Sequence, residues 1–231
     1  MKLNSRPVPV WATRIVVVLA IAAGMSGCAS SGGRDAAQGE SERYLRLGYV
    51  QLERGQTQEA LASANMAIQR DPKNADAQNF VGLIYMSQSD YTKAAEHLRE
   101  AVRLNPFFTD AHNNLGAVYR ELKQYDKSLA ELQAALKDKT YQTPEKIELN
   151  LGNLYLDQGV MSEAIRWYEL AVKANPAYVR GHFALGAAYQ KAGKGDLAAQ
   201  QFRMVIELAP DTPEAARAKQ ELESGARRSG S

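Results

Sequence analysis

Residues 75–108 read ADAQNFVGLIYMSQSDYTKAAEHLREAVRLNPFF, which is the pattern of two short helices joined by a turn. The stretch does not stand alone. Gly recurs at Gly48, Gly82, Gly116, Gly152 and Gly186, at spacings of 34, 34, 36 and 34 residues. Twelve positions after each comes a small residue: Ala60, Ala94, Ser128, Ala164 and Ala198. Seven further on stand Ala67, Ala101, Ala135, Ala171 and then Val205. Pro72, Pro106, Pro176 and Pro210 close four of the five units. A period of this length marks stacked repeats, each too small to bury its apolar face alone.

The residues within a unit explain one another. Two antiparallel helices must approach closely, and Gly on the first with Ala on the second removes bulk where they cross. Large side chains interleave with the small ones. Leu47, Val81, Leu115, Leu151 and Leu185 precede each Gly; Tyr85, Tyr119, Tyr155 and Tyr189 follow it by three, with Gln51 in the first unit. Leu98, Leu132, Tyr168 and Phe202 fill the second helix. Residues before Pro resist the α region, so Asp-Pro, Asn-Pro and Ala-Pro pairs end that helix. All of these read as core positions.

The pattern resembles the tetratricopeptide repeat (TPR) and covers Ser41 to Thr212. The resemblance implies an all-α TPR solenoid, a right-handed superhelix of helix-turn-helix repeats. The repeats fall at 41–74, 75–108, 109–142, 145–178 and 179–212. The longer spacing lies between the third and fourth, where residues 137–144 (KDKTYQTP) replace the usual Asn-Pro turn. Such an insertion maps to one face, either as part of a binding surface or as a tolerated loop. Residues 213–224 (PEAARAKQELES) read as a capping helix with Pro at its start, and 225–231 as a disordered tail.

The beginning of the chain has a different character. Lys2, Arg6 and Arg14 form a basic leader before the apolar run Ile15 to Ala23. That run falls well short of a bilayer span, so 1–27 reads as a secretory signal. Cys28, the only cysteine, follows Met25-Ser26-Gly27. This resembles a bacterial lipoprotein signal, which implies that Cys28 carries lipid. Ala29 after it, where Asp would favour inner-membrane retention, implies the outer membrane. Two or more acyl chains give stable anchoring. Residues 28–40 then read as the lipidated Cys and a small, polar, flexible tether. Without the leader the formal charge falls from +2 to −1, and no basic stripe points to nucleic acid.

No catalytic pattern emerges. His97, His112 and His182 do not pair at helical spacing, and no second cysteine could complete a metal site. Gly193-Lys194-Gly195 lacks the rest of a phosphate loop. The sequence therefore predicts no enzyme, metal, cofactor or small-molecule substrate.

What remains is the surface of the first helices, which the TPR resemblance places on the concave side. Counting from each repeat Gly, the positions three before, one after and four after should face inward. They give a candidate peptide-binding groove of Leu45, Tyr49, Leu52, Asn79, Leu83, Met86, Asn113, Arg120, Leu149, Asn153 and Phe183. The lining is largely apolar with scattered amides, which suits an amphipathic helix or an extended peptide. TPR proteins that clamp acidic C-termini carry Lys and Asn in their first unit. Leu45 and Tyr49 stand there instead, and only Lys146 and Arg180 echo that pattern.

Lipoprotein signal, tether and TPR string together are similar to the type IV pilus pilotins, the PilF/PilW/Tgl group. The junction 138–146 running into Asn150-Leu151-Gly152 carries the most particular part of that likeness. It implies an outer-membrane adaptor that helps an outer-membrane secretin subunit localise and oligomerise. A TPR lipoprotein scaffold for peptidoglycan hydrolases, or for polysaccharide or secretion assembly, remains the alternative.

Overall fold

The computed structural model describes residue 33 and residues 35–229. The expected signal at 1–27 and the lipidated Cys28 lie outside the described residues. Within them every regular element is a helix: α1 (35–53), α2 (Thr57–Arg70), α3 (Ala75–Ser87), α4 (Tyr91–Leu104), α5 (Thr109–Glu121), α6 (Tyr125–Ala135), α7 (Pro144–Asp157), α8 (Met161–Ala174), α9 (Val179–Lys191), α10 (Gly195–Leu208) and α11 (Pro213–Ser229). The chain divides into two compact units, one ending at Ala77 and the other beginning at Gln78.

In the first unit α1 and α2 are joined by small residues and hydrogen bonds. Ala60, Ala64 and Ala67 are fully buried. Ser41 Oγ donates to the Ala67 carbonyl at 2.8 Å and accepts from Asn74 Nδ2 at 2.9 Å. Gln51, where the other repeats have Tyr, accepts from Ser63 Oγ at 2.6 Å. Residues 35–40 (DAAQGE), expected to belong to the tether, are part of α1. Ala, Gln and Glu favour helix, and Glu40 meets Arg70 of α2 at 3.1 Å. The end differs likewise. α11 runs through Gly225 to Ser229, where a tail was expected from 225.

In the second unit helical pairs stack in chain order: α5 on α6, α7 on α8, α9 on α10, with α4 on α5, α6 on α7 and α8 on α9 between pairs. α11 closes the stack against α9 and α10. The repeat glycines set the approach. A Cβ built on Gly82 would lie 2.6 Å from Leu98, and one on Gly116 2.6 Å from Leu132. On Gly152 it would lie 2.3 Å from the ring of Tyr168, and on Gly186 2.9 Å from Phe202. Each glycine is the seat of the large side chain sixteen residues on. Leu98, Leu132, Tyr168 and Phe202 are buried there.

The inter-helix turns share one device. Gly55, Ser89, Lys123, Gly159 and Gly193, each seven residues after a repeat Gly, have positive φ between 58° and 76°. The residue after each returns its N–H to the carbonyl three after the repeat Gly, for example Gln124 N to Tyr119 O at 2.8 Å. This is a Schellman cap, which satisfies the end of the first helix and reverses the chain. Glycine takes that conformation freely; Ser89 and Lys123 adopt it at a cost.

The irregular junction is held by its own side chains. Asp138 accepts from Thr109 Oγ1 at 2.8 Å, from Thr140 N at 2.9 Å and from Thr140 Oγ1 at 2.7 Å. Tyr141 donates its hydroxyl to Asp110. Pro144 then starts α7.

Gly152→Ala tests the seat. The added methyl meets a buried ring that has no flexible end to move, so unfolding free energy should fall by about 1–3 kcal/mol in chemical denaturation. An unchanged midpoint would mean that the α7–α8 approach is looser than these distances.

Candidate functional site

α5 packs on α7 and α7 on α9, whereas α6, α8 and α10 are not closely packed on one another. In the second unit the first helices of the repeats therefore lie on the inside of the stack. Their inner face is a row of half-buried side chains at fixed distances from each repeat Gly. One residue after come Leu83, Ala117, Asn153 and Ala187, and four after come Met86, Arg120, Leu156 and Gln190. Two before come Asn114, Asn150 and Ala184.

The position three before the Gly behaves otherwise. Asn79 is 5% exposed, Asn113 6% and Leu149 5%. Leu149 belongs to the core cluster around Tyr168, Leu185 and Phe202. In the first unit Leu45 is buried as well, while Leu52 is half-buried and Tyr49 exposed. Of that row only Phe183 stays half-exposed, its ring tilted against Phe202 at 5.7 Å. Leu45, Asn79, Asn113 and Leu149 are thus corrected from lining to packing residues. The cause is angular. A helix turns about 100° per residue, and within the second unit stacking aims the three-before position at the neighbouring first helix instead of the open face.

The polar residues on this face are also committed. Asn114 Nδ2 donates to Asn79 Oδ1 at 3.0 Å, bridging α5 and α3. Asn150 Nδ2 donates to Asn113 Oδ1 at 2.9 Å, bridging α7 and α5. Asn153 Oδ1 accepts from the Tyr168 hydroxyl at 2.8 Å, and burial pushes that phenol well above its ordinary pKa. Arg120 donates to Asp157 at 3.0 Å and also to Glu121. It is a neutralised cross-link between α5 and α7. The face that remains is amide and apolar, with no unpaired charge at these positions.

A second recurring arrangement lies between the helices of three pairs in the second unit, and sequence reading missed it. The position four before the repeat Gly meets the residue nineteen further on. Gln78 Oε1 meets His97 Nδ1 at 2.8 Å, His112 Nδ1 meets Glu131 at 2.6 Å, and His182 Nδ1 meets Gln201 at 2.7 Å. The constant offset of nineteen is the signal that would have found it. The fourth repeat places Glu148 and Trp167 there, and Glu148 Oε2 and Trp167 Nε1 are buried without partners. Burial, with Glu145 nearby, raises the Glu148 carboxyl pKa.

His112 and His182 differ in a way that matters chemically. Each Nε2 faces a carbonyl, of Pro106 at 3.1 Å and of Pro176 at 2.9 Å. The Nδ1 of His182 faces an amide oxygen, whereas that of His112 faces a carboxylate. The hydrogen bond to Glu131 raises the His112 pKa, with the Pro106 carbonyl adding to it, against burial and Lys137. When the ring is protonated, both nitrogens donate and the imidazolium completes both bonds. Beside this pair opens a cleft of ≈ 530 Å³ bordered by Phe107 and Lys137, and Phe107 is 91% exposed.

No helix among the described residues is long and apolar enough to cross a membrane. Family models described as tetratricopeptide repeat match residues 45–107 and 82–143, and one described as TPR repeat matches 152–193. The chain is 28% identical over 171 residues to the type IV pilus assembly protein PilF of Pseudomonas aeruginosa, covering 70% of this chain and 67% of that protein. The solved structure of Pseudomonas aeruginosa PilF matches with TM-score 0.70 at 21% identity, over 85% of this chain and 91% of that one. PilW, described as a widely conserved type IV pilus biogenesis factor, matches with TM-score 0.71 at 24% identity, over 81% and 91%.

The His112–Glu131 pair should make stability depend on pH. A pKa raised in the folded state contributes stability that is fully present below the unfolded value, near 6.5, and is lost as pH rises through the folded value. Denaturant unfolding compared at about pH 6 and about pH 8.5 should show wild type losing more stability than Glu131→Gln on going up. Equal slopes would mean that the pair does not hold the proton.

Proposed function

We propose that this chain, which belongs to the tetratricopeptide-repeat family, is a lipid-anchored, non-enzymatic adaptor of type IV pilus biogenesis that assists the outer-membrane secretin. The observation that carries this reading is the similarity to a type IV pilus assembly protein over most of the chain. The inner face of α3, α5, α7 and α9 supports it. A half-buried row of apolar and amide groups, with its one cation neutralised, suits a protein partner better than an ionic ligand or a reaction. Cys28 supplies the anchor in this account and places the repeats on the periplasmic side of the outer membrane. The partner is then a membrane-embedded subunit met at short range, with the segment before α1 as the spacer.

The mechanism is one of positioning. An adaptor held at the membrane raises the local concentration of the subunits it binds, so modest affinity for each is enough to promote assembly. Neither catalysis nor a cofactor is required.

Affinity capture from detergent-solubilised envelopes tests this. Wild type should retain the secretin subunit, and Leu83→Glu with Met86→Glu should reduce the amount retained at least about tenfold with an unchanged melting temperature, because two half-buried apolar contacts are lost. Retention of peptidoglycan hydrolases without secretin would contradict the pilus reading and favour a cell-wall scaffold.

A further inference from the structure

α1 presents a face that α5, α7 and α9 keep covered. On those helices the residues one before and two after the repeat Gly are buried by the preceding second helix: Leu115 and Val118 by α4, Leu151 and Leu154 by α6, Leu185 and Ala188 by α8. No second helix precedes α1 among the described residues, and the matching Leu47 and Val50 are 46% and 41% exposed. Arg43 stands five before the Gly, where Ala111, Ile147 and Gly181 are buried. The open end of a repeat array needs a polar face to stay in solution. Leu47 and Val50 on that face therefore call for a cover.

The charges on the face select the cover. At about 100° per residue, Arg43, Leu47, Val50 and Arg54 fall within an arc of about 60°. Two arginines about 16 Å apart along the axis thus bracket two apolar side chains. Neither arginine has a carboxylate at ion-pair distance among the described residues. Glu40 and Glu42 lie off the arc and are paired, with Arg70 at 3.1 Å and Arg46 at 3.6 Å. A repeat-like helix laid here would bury Arg43 where the other repeats bury Ala, Ile or Gly. A second copy crossing antiparallel, Leu47 on Val50, would set Arg43 of each against Arg54 of the other, like charge on like. A lipid surface has neither fault. The guanidinium groups reach phosphates while Leu47 and Val50 enter the acyl boundary, as in an interfacial helix. Chain continuity agrees: α1 begins at residue 35, seven positions after Cys28. That segment spans roughly 25 Å when fully extended.

We infer that the outward face of α1, formed by Arg43, Leu47, Val50 and Arg54, lies on the surface of an anionic phospholipid membrane and sets the direction in which the first unit leaves it. The inference rests on the reading of Cys28 as the lipid anchor, which holds α1 within reach of that surface.

Spin-label EPR of the full-length protein tests it. The protein is purified from envelopes in detergent and reconstituted in vesicles of equal parts phosphatidylethanolamine and phosphatidylglycerol, or of phosphatidylcholine alone. A nitroxide is attached at Val50→Cys on the face, or at Asn65→Cys, exposed on α2. In the anionic vesicles the label at position 50 should be shielded from an aqueous nickel relaxant and open to oxygen, while that at 65 stays open to nickel. Arg43→Gln with Arg54→Gln should lower the docked-to-free ratio at least about tenfold, two surface arginines' worth. Phosphatidylcholine should lower it likewise. Equal access of nickel to both labels in anionic vesicles would overturn the inference, and so would equal shielding in the two kinds of vesicle. Dipolar broadening between labels at position 50 would overturn it in favour of a second copy. Flotation with vesicles reads the anchor separately, and the arginine variant should still float because Cys28 holds it. Loss of flotation in that variant alone would overturn the anchor reading and support the docking face. Loss in wild type as well would overturn both.

Discussion

The contact on which the second unit depends is the seat of one large side chain over each repeat glycine. Leu98, Leu132, Tyr168 and Phe202 occupy space that any Cβ at Gly82, Gly116, Gly152 or Gly186 would take. The contact sets the distance within each helical pair. Because it recurs at the same place in each pair, it also sets the direction in which pairs stack. The inner face follows from that stacking: the first helices come into contact with one another, and their half-open side chains line up.

Much of this is legible in the sequence because it is periodic. The glycine spacing, the small residues twelve and nineteen later and the closing prolines mark the helices, and the large residues of the second helix are visible as core. Steric constraints of this kind recur without exception in the four pairs, so they survive as a pattern. The Schellman turns are less visible, because Ser89 and Lys123 take the left-handed position that glycine holds in the other repeats. The beginning of α1 at 35–40 was hidden by a composition of small and polar residues that also suits a tether.

The candidate face was only partly legible. In the second unit the positions one and four after the glycine are half-open. The position three before is not, because a single residue of rotation separates a lining side chain from one that packs on the next helix. Asn79 and Asn113 therefore turn inward and accept from Asn114 and Asn150 of the next first helix. Sequence cannot distinguish two adjacent asparagines by their neighbours in space. The same holds for Arg120, whose partner Asp157 lies one repeat away. Such pairings depend on the stacking angle, which no single repeat encodes.

The central claim is that the protein works through the inner face of its first helices. Site-specific photocrosslinking in the intact envelope tests it most directly, with the photoreactive residue placed either at Ala117 on α5 or at the exposed Gln133 on α6. The account predicts a crosslink to the secretin subunit from Ala117 and none from Gln133. A crosslink from Gln133 with none from Ala117 would contradict it and move the working surface to the other side of the repeats.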